Sequence, residues 1–400
     1  MDRHRPRRAG FTLIELLITI LIIGALMAIL VPTVFAAFRK AKEAACSAEI
    51  NNLATALADF KSKFGEYPPS RLLLCEAGYS PALLASSAPI QGPFSGNSTV
   101  VDITEGLLAA RSLLYLRKFF PRCTFAPTTG TTPTTFYDFN GDGYAGVAAQ
   151  NTGSTTYYVL NGAECMAFFL GGMPAYKSGG VYQNNGLVGF GRQPTNPFVD
   201  SATQPNNRTQ PLFEFNQGRL VDVDLDGIPT YLDAFSQGND QVPYAYFYSY
   251  GSNSYDPNDV NDNGHAQSTV VVGKQPTAQY NTNVETDDNG TILYRGFSVS
   301  FAGNGVVSTS PNPYTSTGPV STTGANYYNA NSFQLFSAGQ DRLWGLGGLY
   351  LPANPAGRLP LYPKTATGGQ ADPGNTNNED QSIRLRESDN LTNFSGGRLD

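Results

Sequence analysis

Charge is what this sequence has least of. Only 14% of its 400 residues are Asp, Glu, Lys or Arg, against about a quarter in an ordinary soluble domain. Uncharged Ser, Thr, Asn and Gln must therefore cover the surface, which suits an exported protein better than a cytosolic enzyme. Histidine is scarcer still: His4 lies in a basic N-terminal stretch and His265 in an Asn/Asp-rich loop. No G-x-S-x-G, no H-E-x-x-H and no glycine-rich phosphate loop following a strand is present, so the common hydrolase, zinc peptidase and nucleotide-dependent chemistries lack their residues, and no catalytic role is expected. The four cysteines, Cys46, Cys75, Cys123 and Cys165, make no C-x-x-C pair, which removes the usual zinc modules. An even number in an exported chain fits two disulfides with three pairings open; buried, reduced thiols are the alternative.

What is present in quantity is hydrophobic residues at 40%, with 42 glycines and 27 prolines. The chain has material for a core, and its turns and loops must be abundant. The net charge of −6 hides an asymmetry. The first ten residues, MDRHRPRRAG, hold four arginines and one aspartate; without them 26 basic and 32 acidic residues become 22 and 31, a net of −9. Nucleic acid is not an expected partner for such a remainder.

The one long apolar run is FTLIELLITILIIGALMAILV, residues 11–31, 21 residues with a single charge at Glu15. At about 1.5 Å per residue it spans the ~30 Å hydrocarbon core of a bilayer. Arginines precede it and no comparable cluster follows, which places the N-terminus in the cytoplasm and the large C-terminal part outside. A secretory signal peptide fits poorly, because no A-x-A-like site follows a short apolar core. An acid within such a segment is costly and is read as functional; Glu15 needs a partner.

Past Pro32 the pattern becomes amphipathic. Cys46, Ile50, Leu53, Leu57, Phe60 and Phe64 recur at intervals of three and four, one buried helical stripe, and Gly65 with Pro68 and Pro69 ends it. Residues 104–120 predict a helix capped by Thr104, and 162–172 a second short one, in a stretch from about 70 to 172 read as helical pieces rather than strands. Strand-like runs follow at 211–215, 218–224, 243–250, 292–301 and 332–339. The expectation is an α+β fold: a leader (1–10), a transmembrane helix (11–31), its amphipathic extension (32–65) packed on an antiparallel β-sheet, and a periplasmic or extracellular domain (66–400). That domain would comprise a helical insert (about 70–172), a β-rich part (about 210–345) and a loop-rich tail (346–400).

A second chemical signal is VDVDLDGIPTYLD, residues 221–233. Asp222, Asp224 and Asp226 alternate, Gly227 takes the sixth loop position and Asp233 the twelfth, the arrangement of a calcium loop in which the glycine allows the sharp turn and the last carboxylate closes the far side. Ile228 offers a backbone carbonyl at the seventh position and Thr230 a water at the ninth. Aspartate in place of a closing glutamate, and a preceding strand rather than a helix, bring it closer to thrombospondin type 3 and dockerin-like calcium repeats than to an EF-hand. Weaker echoes are Asp138, Asn140 and Asp142, which lack a closing acid, and the stretches 259–264 and 285–290, which read as turns.

Gly10, Phe11, Thr12, Leu13, Ile14 and Glu15, behind the basic leader, resemble the processing site of type IV prepilins and type II secretion pseudopilins. Gly24 and Pro32 also fall where that family carries a glycine and a proline. FGEYPPS (64–70) and FQLFSAGQDRLWG (333–345) are similar to the helix end and C-terminal strand of major pseudopilins, and DNLTNFSGGRLD (389–400) is similar to the ending of large prepilin-like proteins. The resemblance implies a pilin-like fold, cleavage between Gly10 and Phe11 by a prepilin peptidase, N-methylation of Phe11, and pairing of Glu15 with the terminal amine of a neighbouring subunit. Pro32 would bend the helix as it leaves the membrane. Implied partners are copies of itself or other pseudopilins in a helical filament, the peptidase/methyltransferase and an inner-membrane assembly platform. Calcium in the C-terminal β region is also implied, with Asp341 in the matching segment. A different class of function, a singly anchored adhesin or binding module whose Tyr-rich domain contacts glycans or proteins without polymerising, accounts for the same anchor.

Overall fold

The computed structural model describes residues 12–87, 104–127, 136–141, 157–175, 186–199, 207–222, 227–236, 242–251, 312–317, 326–342, 347–353, 358–359 and 387–399. It also describes residues 255, 259 and 344 and the backbone of the short strands at 284–286, 292–295, 299–300 and 306–307. The chain divides into two units, Met1–Ala45 and Cys46–Asp400.

Helix α1, Leu13–Phe64, is 52 residues long and runs through Pro32 without a break. A proline at that position withholds one N–H from the ladder; the adjacent Thr33 donates its Oγ1–H to the carbonyls of Leu30 at 2.8 Å and Ile29 at 3.3 Å. In the first unit the apolar residues of α1 are exposed all round, from Leu13 to Phe38. A helix apolar on every face has no amphipathic preference and needs an apolar surrounding. In the second unit the helix is one-sided: Cys46, Ile50, Leu53, Ala56, Leu57 and Phe60 are buried, the stripe expected from spacing with Ala56 added and Phe64, at its end, only partly buried. It ends at Gly65, whose φ of +83° is a left-handed conformation that favours glycine.

The stripe is covered from more sides than a sheet alone. After β1 (Leu72–Leu74) and the short α2 (Pro81–Leu84) comes α3, Glu105–Phe119, capped by Thr104, whose Oγ1 accepts from Leu107 N at 3.3 Å. Strand β2 (Tyr158–Leu160) leads into α4, Gly162–Gly171, opened by a reciprocal capping box between Asn161 and Glu164 and buried along its whole length. Phe60 on α1 meets Phe119 at 5.0 Å and Phe169 at 5.6 Å, both edge to face. The region read as a helical insert thus supplies the centre of the core. It also contains strands where helices alone were expected: β1 and β2 pair antiparallel, Leu72 opposite Leu160. Two three-residue apolar strands carry too few residues for a periodicity to show.

The remaining strands are β3 (Leu220–Val221), β4 (Thr230–Tyr231), β5 (Ala245–Tyr248), β6 (Val284–Thr286), β7 (Ile292–Arg295), β8 (Val299–Ser300), β9 (Val306–Val307), β10 (Asn312–Thr317), β11 (Asn326–Tyr327), β12 (Phe333–Ser337), β13 (Gly347–Leu349) and β14 (Leu391–Thr392). They form an antiparallel sheet in the order β14-β12-β5, a mixed sheet β11-β10-β13, and the pairs β3/β4, β6/β7 and β8/β9. Tyr246, Tyr248, Phe333 and Leu335 join the α1 stripe in one core, while Phe247, Phe336, Tyr314 and Trp344 form a second core on the other face of β5 and β12, the period-two consequence of a strand. Gly162 lies where any Cβ would stand 1.9 Å from the carbonyl oxygen of Tyr246, so α4 touches β5 through bare backbone.

One expected strand is absent. Residues 211–215 are irregular: the N–H of Leu212 donates to the Leu170 carbonyl at 2.7 Å, satisfying the end of α4, and Phe213 and Phe215 pack edge to face on each other and on Tyr231. Aromatic content there serves packing rather than pairing. Overall the fold is α+β and pilin-like: a long apolar N-terminal helix followed by antiparallel sheets and short helices.

Candidate functional site

The N-terminal segment comes first. Gly10 and Phe11 lie outside the described residues, as does the rest of the leader including His4. Thr12 precedes the helix and Glu15 is in its first turn. Thr12 Oγ1 accepts from the N–H of Glu15 at 3.3 Å. The Glu15 carboxylate in turn accepts from the Thr12 N–H at 2.9 Å and its hydroxyl at 2.7 Å. Glu15 therefore closes a capping box, satisfying backbone donors that the start of a helix otherwise leaves unpaired. The T-x-x-E spacing carries that signal in the sequence, and Thr12 is the partner of Glu15 that reading for the glutamate alone overlooks. The carboxylate also sits at the positive end of the helix dipole.

The second place is the hairpin β3/β4, Leu220 opposite Tyr231 and Val221 opposite Thr230, which forms the stem of the Asp-rich loop. Asp222 Oδ2 accepts from the N–H of Gly227 at 3.0 Å, and Gly227 has φ +95°. Gly227 thus has the left-handed conformation that favours a glycine at the sixth position. Asp224 and Asp226 lie outside the described residues. Ile228 is fully buried and in the core. Asp233 is buried and already occupied: its Oδ1 accepts from the N–H groups of Phe235 (3.0 Å) and Ser236 (2.8 Å) and from Ser236 Oγ, and its Oδ2 from Ser337 Oγ at 2.7 Å. Burial raises its pKa against these donors. Asp233 thus ties the loop's exit to β12.

The weaker candidates are dispersed. Asp138 and Asn140 are buried, Asn140 donating to the Tyr158 hydroxyl at 3.2 Å, and Asp142 lies outside the described residues. Asp259 is buried and receives the hydroxyls of Ser70 and Tyr250. Asp341 is exposed; its N–H and that of Gln340 donate to Asp389 Oδ2 at 3.1 and 2.7 Å, so the carboxylate that organises this turn is Asp389. Among the described residues no three His, Cys, Asp or Glu side chains are grouped as a metal cage. His265 is outside them.

The disulfides expected as one option are not formed. All four cysteines are buried free thiols, each held against different neighbours. Cys46 lies 3.5 Å from the Tyr244 hydroxyl, Cys75 donates to the Gly78 carbonyl, and Cys165 points at the Leu160 carbonyl. Burial pushes the Cys46 and Cys75 thiols up to about 11, so neither is a reactive thiolate.

One cluster had no sequence signature. Glu49 on α1 accepts the Tyr231 hydroxyl at 2.6 Å and the Tyr244 hydroxyl at 2.5 Å, and is ion-paired with Arg219. The guanidinium of Arg219 also lies over the Tyr231 ring at 4.5 Å. Helix, hairpin stem and the residue leading into β5 are thereby joined at one carboxylate.

Comparison with known families matches residues 5–31 to the prokaryotic N-terminal methylation motif. Comparison with curated proteins and with solved structures returns no match. The matched span contains three of the four leader arginines, Gly10, Phe11, the Thr12–Glu15 box and the part of α1 up to Val31, which belongs to a helix long and apolar enough to cross a membrane. Over that segment the chain resembles type IV prepilins and pseudopilins, whose N-terminal methylation motif it carries.

Proposed function

We propose that this protein is a structural subunit of a type II secretion pseudopilus or type IV pilus-like filament. In this reading it is cut between Gly10 and Phe11, N-methylated on Phe11 and assembled through its N-terminal helix, with the C-terminal domain on the outer side of the inner membrane. The observation that carries this reading is the coincidence of the methylation motif with a helix whose apolar side chains, from Leu13 to Phe38, are exposed among the described residues. Lipid before assembly and neighbouring helices after it supply their cover. The protein then acts by assembly, not turnover, and the Thr12–Glu15 box holds the carboxylate until a neighbour's amine replaces it.

Intact mass and N-terminal sequencing of the membrane-extracted protein test processing, and shearing of cells tests assembly. A mature chain beginning at N-methyl-Phe11, recovered in sheared filaments and lost from them in Glu15→Ala, is expected. A processed chain that never enters filaments would instead describe a singly anchored surface module.

The loop 222–233 is proposed to bind calcium, supported by its alternating aspartates and by the Asp222–Gly227 turn. Asp222, Asp224, Asp226 and the Ile228 carbonyl would hold the ion, with Asp233 reaching it only by giving up a present donor. A ligand at 100 times its Kd stabilises by about 2.7 kcal/mol. Millimolar calcium should therefore raise the melting temperature of the full chain over that in chelator, and Asp224→Asn should abolish the difference. Equal melting curves in calcium and chelator would end this part of the reading.

A further inference from the structure

A cavity of about 460 Å³ opens at the C-terminal end of α1, well inside the range that takes small organic ligands. Its walls are aromatic: Phe64 from α1, Phe119 and Phe120 from α3, Phe169 from α4, and Phe190. The rings brace one another, Phe64 on Phe119 at 5.6 Å, Phe119 on Phe169 at 5.1 Å and Phe120 on Phe190 at 5.1 Å, each edge to face. Such walls are formed before any ligand arrives.

The floor is bare backbone. Gly172 (φ +88°) and Gly189 (φ +74°) are bridged, and a Cβ on Gly172 would stand 2.2 Å from Gly189 Cα. A Cβ on Gly189 would stand 1.9 Å from the carbonyl oxygen of Thr209. Three chain segments are therefore stacked at the closest approach glycine permits, and the concavity cannot be closed by side chains from below.

The charge at the mouth is of one sign. Lys63, Arg122 and Arg192 line the cavity and are exposed, and among the described residues no acidic side chain lines it. Arg192 is set in place by its Nε–H, which donates to the Arg208 carbonyl at 2.9 Å. In a chain with more acids than bases, three cations around an aromatic hollow reverse the local field. An apolar body with an anionic end matches both features: the rings take the body, and the cations take the charge at the solvent boundary, where an ion is not stripped of water.

We infer that this cavity binds a small aromatic or branched aliphatic carboxylate, apolar end inward. The site lies wholly within Cys46–Asp400 and does not depend on whether the chain polymerises. The test uses the full chain in lipid nanodiscs, with empty nanodiscs subtracted, and three probes of one shape: 4-phenylbutyrate, 4-phenylbutanol and 4-phenylbutylamine, titrated by saturation-transfer NMR. Saturable binding is expected in the order carboxylate, alcohol, amine, with at least tenfold between the first and last. Lys63→Glu combined with Arg122→Glu, both on exposed positions, should reverse that order while leaving the melting temperature in place. Leu212→Trp, which fills the hollow, should abolish all three. Absence of saturable carboxylate binding, equal affinities for the three probes, or an order indifferent to the charge reversal would each overturn the inference.

Discussion

Raising the pH past 10 is expected to unfold the Cys46–Asp400 unit steeply. Tyr79, Tyr231, Tyr244, Tyr246, Tyr248 and Tyr255 are all at most 6% exposed, and burial raises the pKa of each above that of a free tyrosine. In the unfolded chain these phenols ionise near pH 10. Between that value and their raised folded values the folded state therefore holds more protons, and stability falls as pH rises. Each such tyrosine contributes a slope of about 1.4 kcal/mol per pH unit. Against a total of roughly 5–15 kcal/mol, several acting together exhaust the stability within about two units. The buried thiols of Cys46 and Cys75, raised to about 11, add the same sign of dependence from a lower starting pH. Tyrosinate absorbance and loss of near-ultraviolet dichroism should rise together in one transition. Gradual ionisation without unfolding would mean that water reaches these rings.

Glu49→Ala should be among the most damaging single substitutions in the second unit. The carboxylate is the shared acceptor of Tyr231, Tyr244 and Arg219, and its side chain is 17% exposed and that of Arg219 22%. Removing it leaves a half-buried guanidinium and two phenol hydroxyls without their acceptor. Losing one partner of a buried pair costs about 3–5 kcal/mol; the residual exposure here puts the expected loss at about 2–3 kcal/mol, read from denaturant unfolding of the full chain. Glu49→Gln keeps an acceptor of the same length and should lose distinctly less. Equal losses in the two variants would show that charge, not hydrogen bonding, holds the cluster. The consequence extends to the aspartate loop, whose stem carries Tyr231 and directly follows Arg219.

The two C-terminal phrases that carry the family resemblance meet in space. Phe333–Ser337 pairs with Leu391–Thr392, and Asn393 closes the pair: its N–H donates to the Leu335 carbonyl and its Oδ1 accepts from the Leu335 N–H, both at 3.0 Å. Asp389 meanwhile holds the turn at Gln340 and Asp341. A segment some fifty residues away in the sequence is thus required to finish the strand, which explains why Asp341, singled out by its position in the phrase, is not itself the organising carboxylate.

The sequence by itself determined the features that depend on local spacing. The apolar length of 11–31, the three-and-four stripe from Cys46 to Phe60, the caps at Thr104 and the stop at Gly65 follow from helix geometry, which acts within a few residues. The T-x-x-E box belongs to the same class. Only the tertiary structure decided what is made by residues far apart. It turned 72–74 and 158–160 into a strand pair and kept 211–215 out of any sheet, because strand identity depends on a partner and on the face it buries. It also left four cysteines as separate buried thiols, set Asp233 to hold Ser337, brought Glu49 to two tyrosines and an arginine nearly two hundred residues away, and hollowed the aromatic cavity at the end of α1. Those outcomes rest on packing and desolvation in three dimensions, for which no spacing rule along the chain exists.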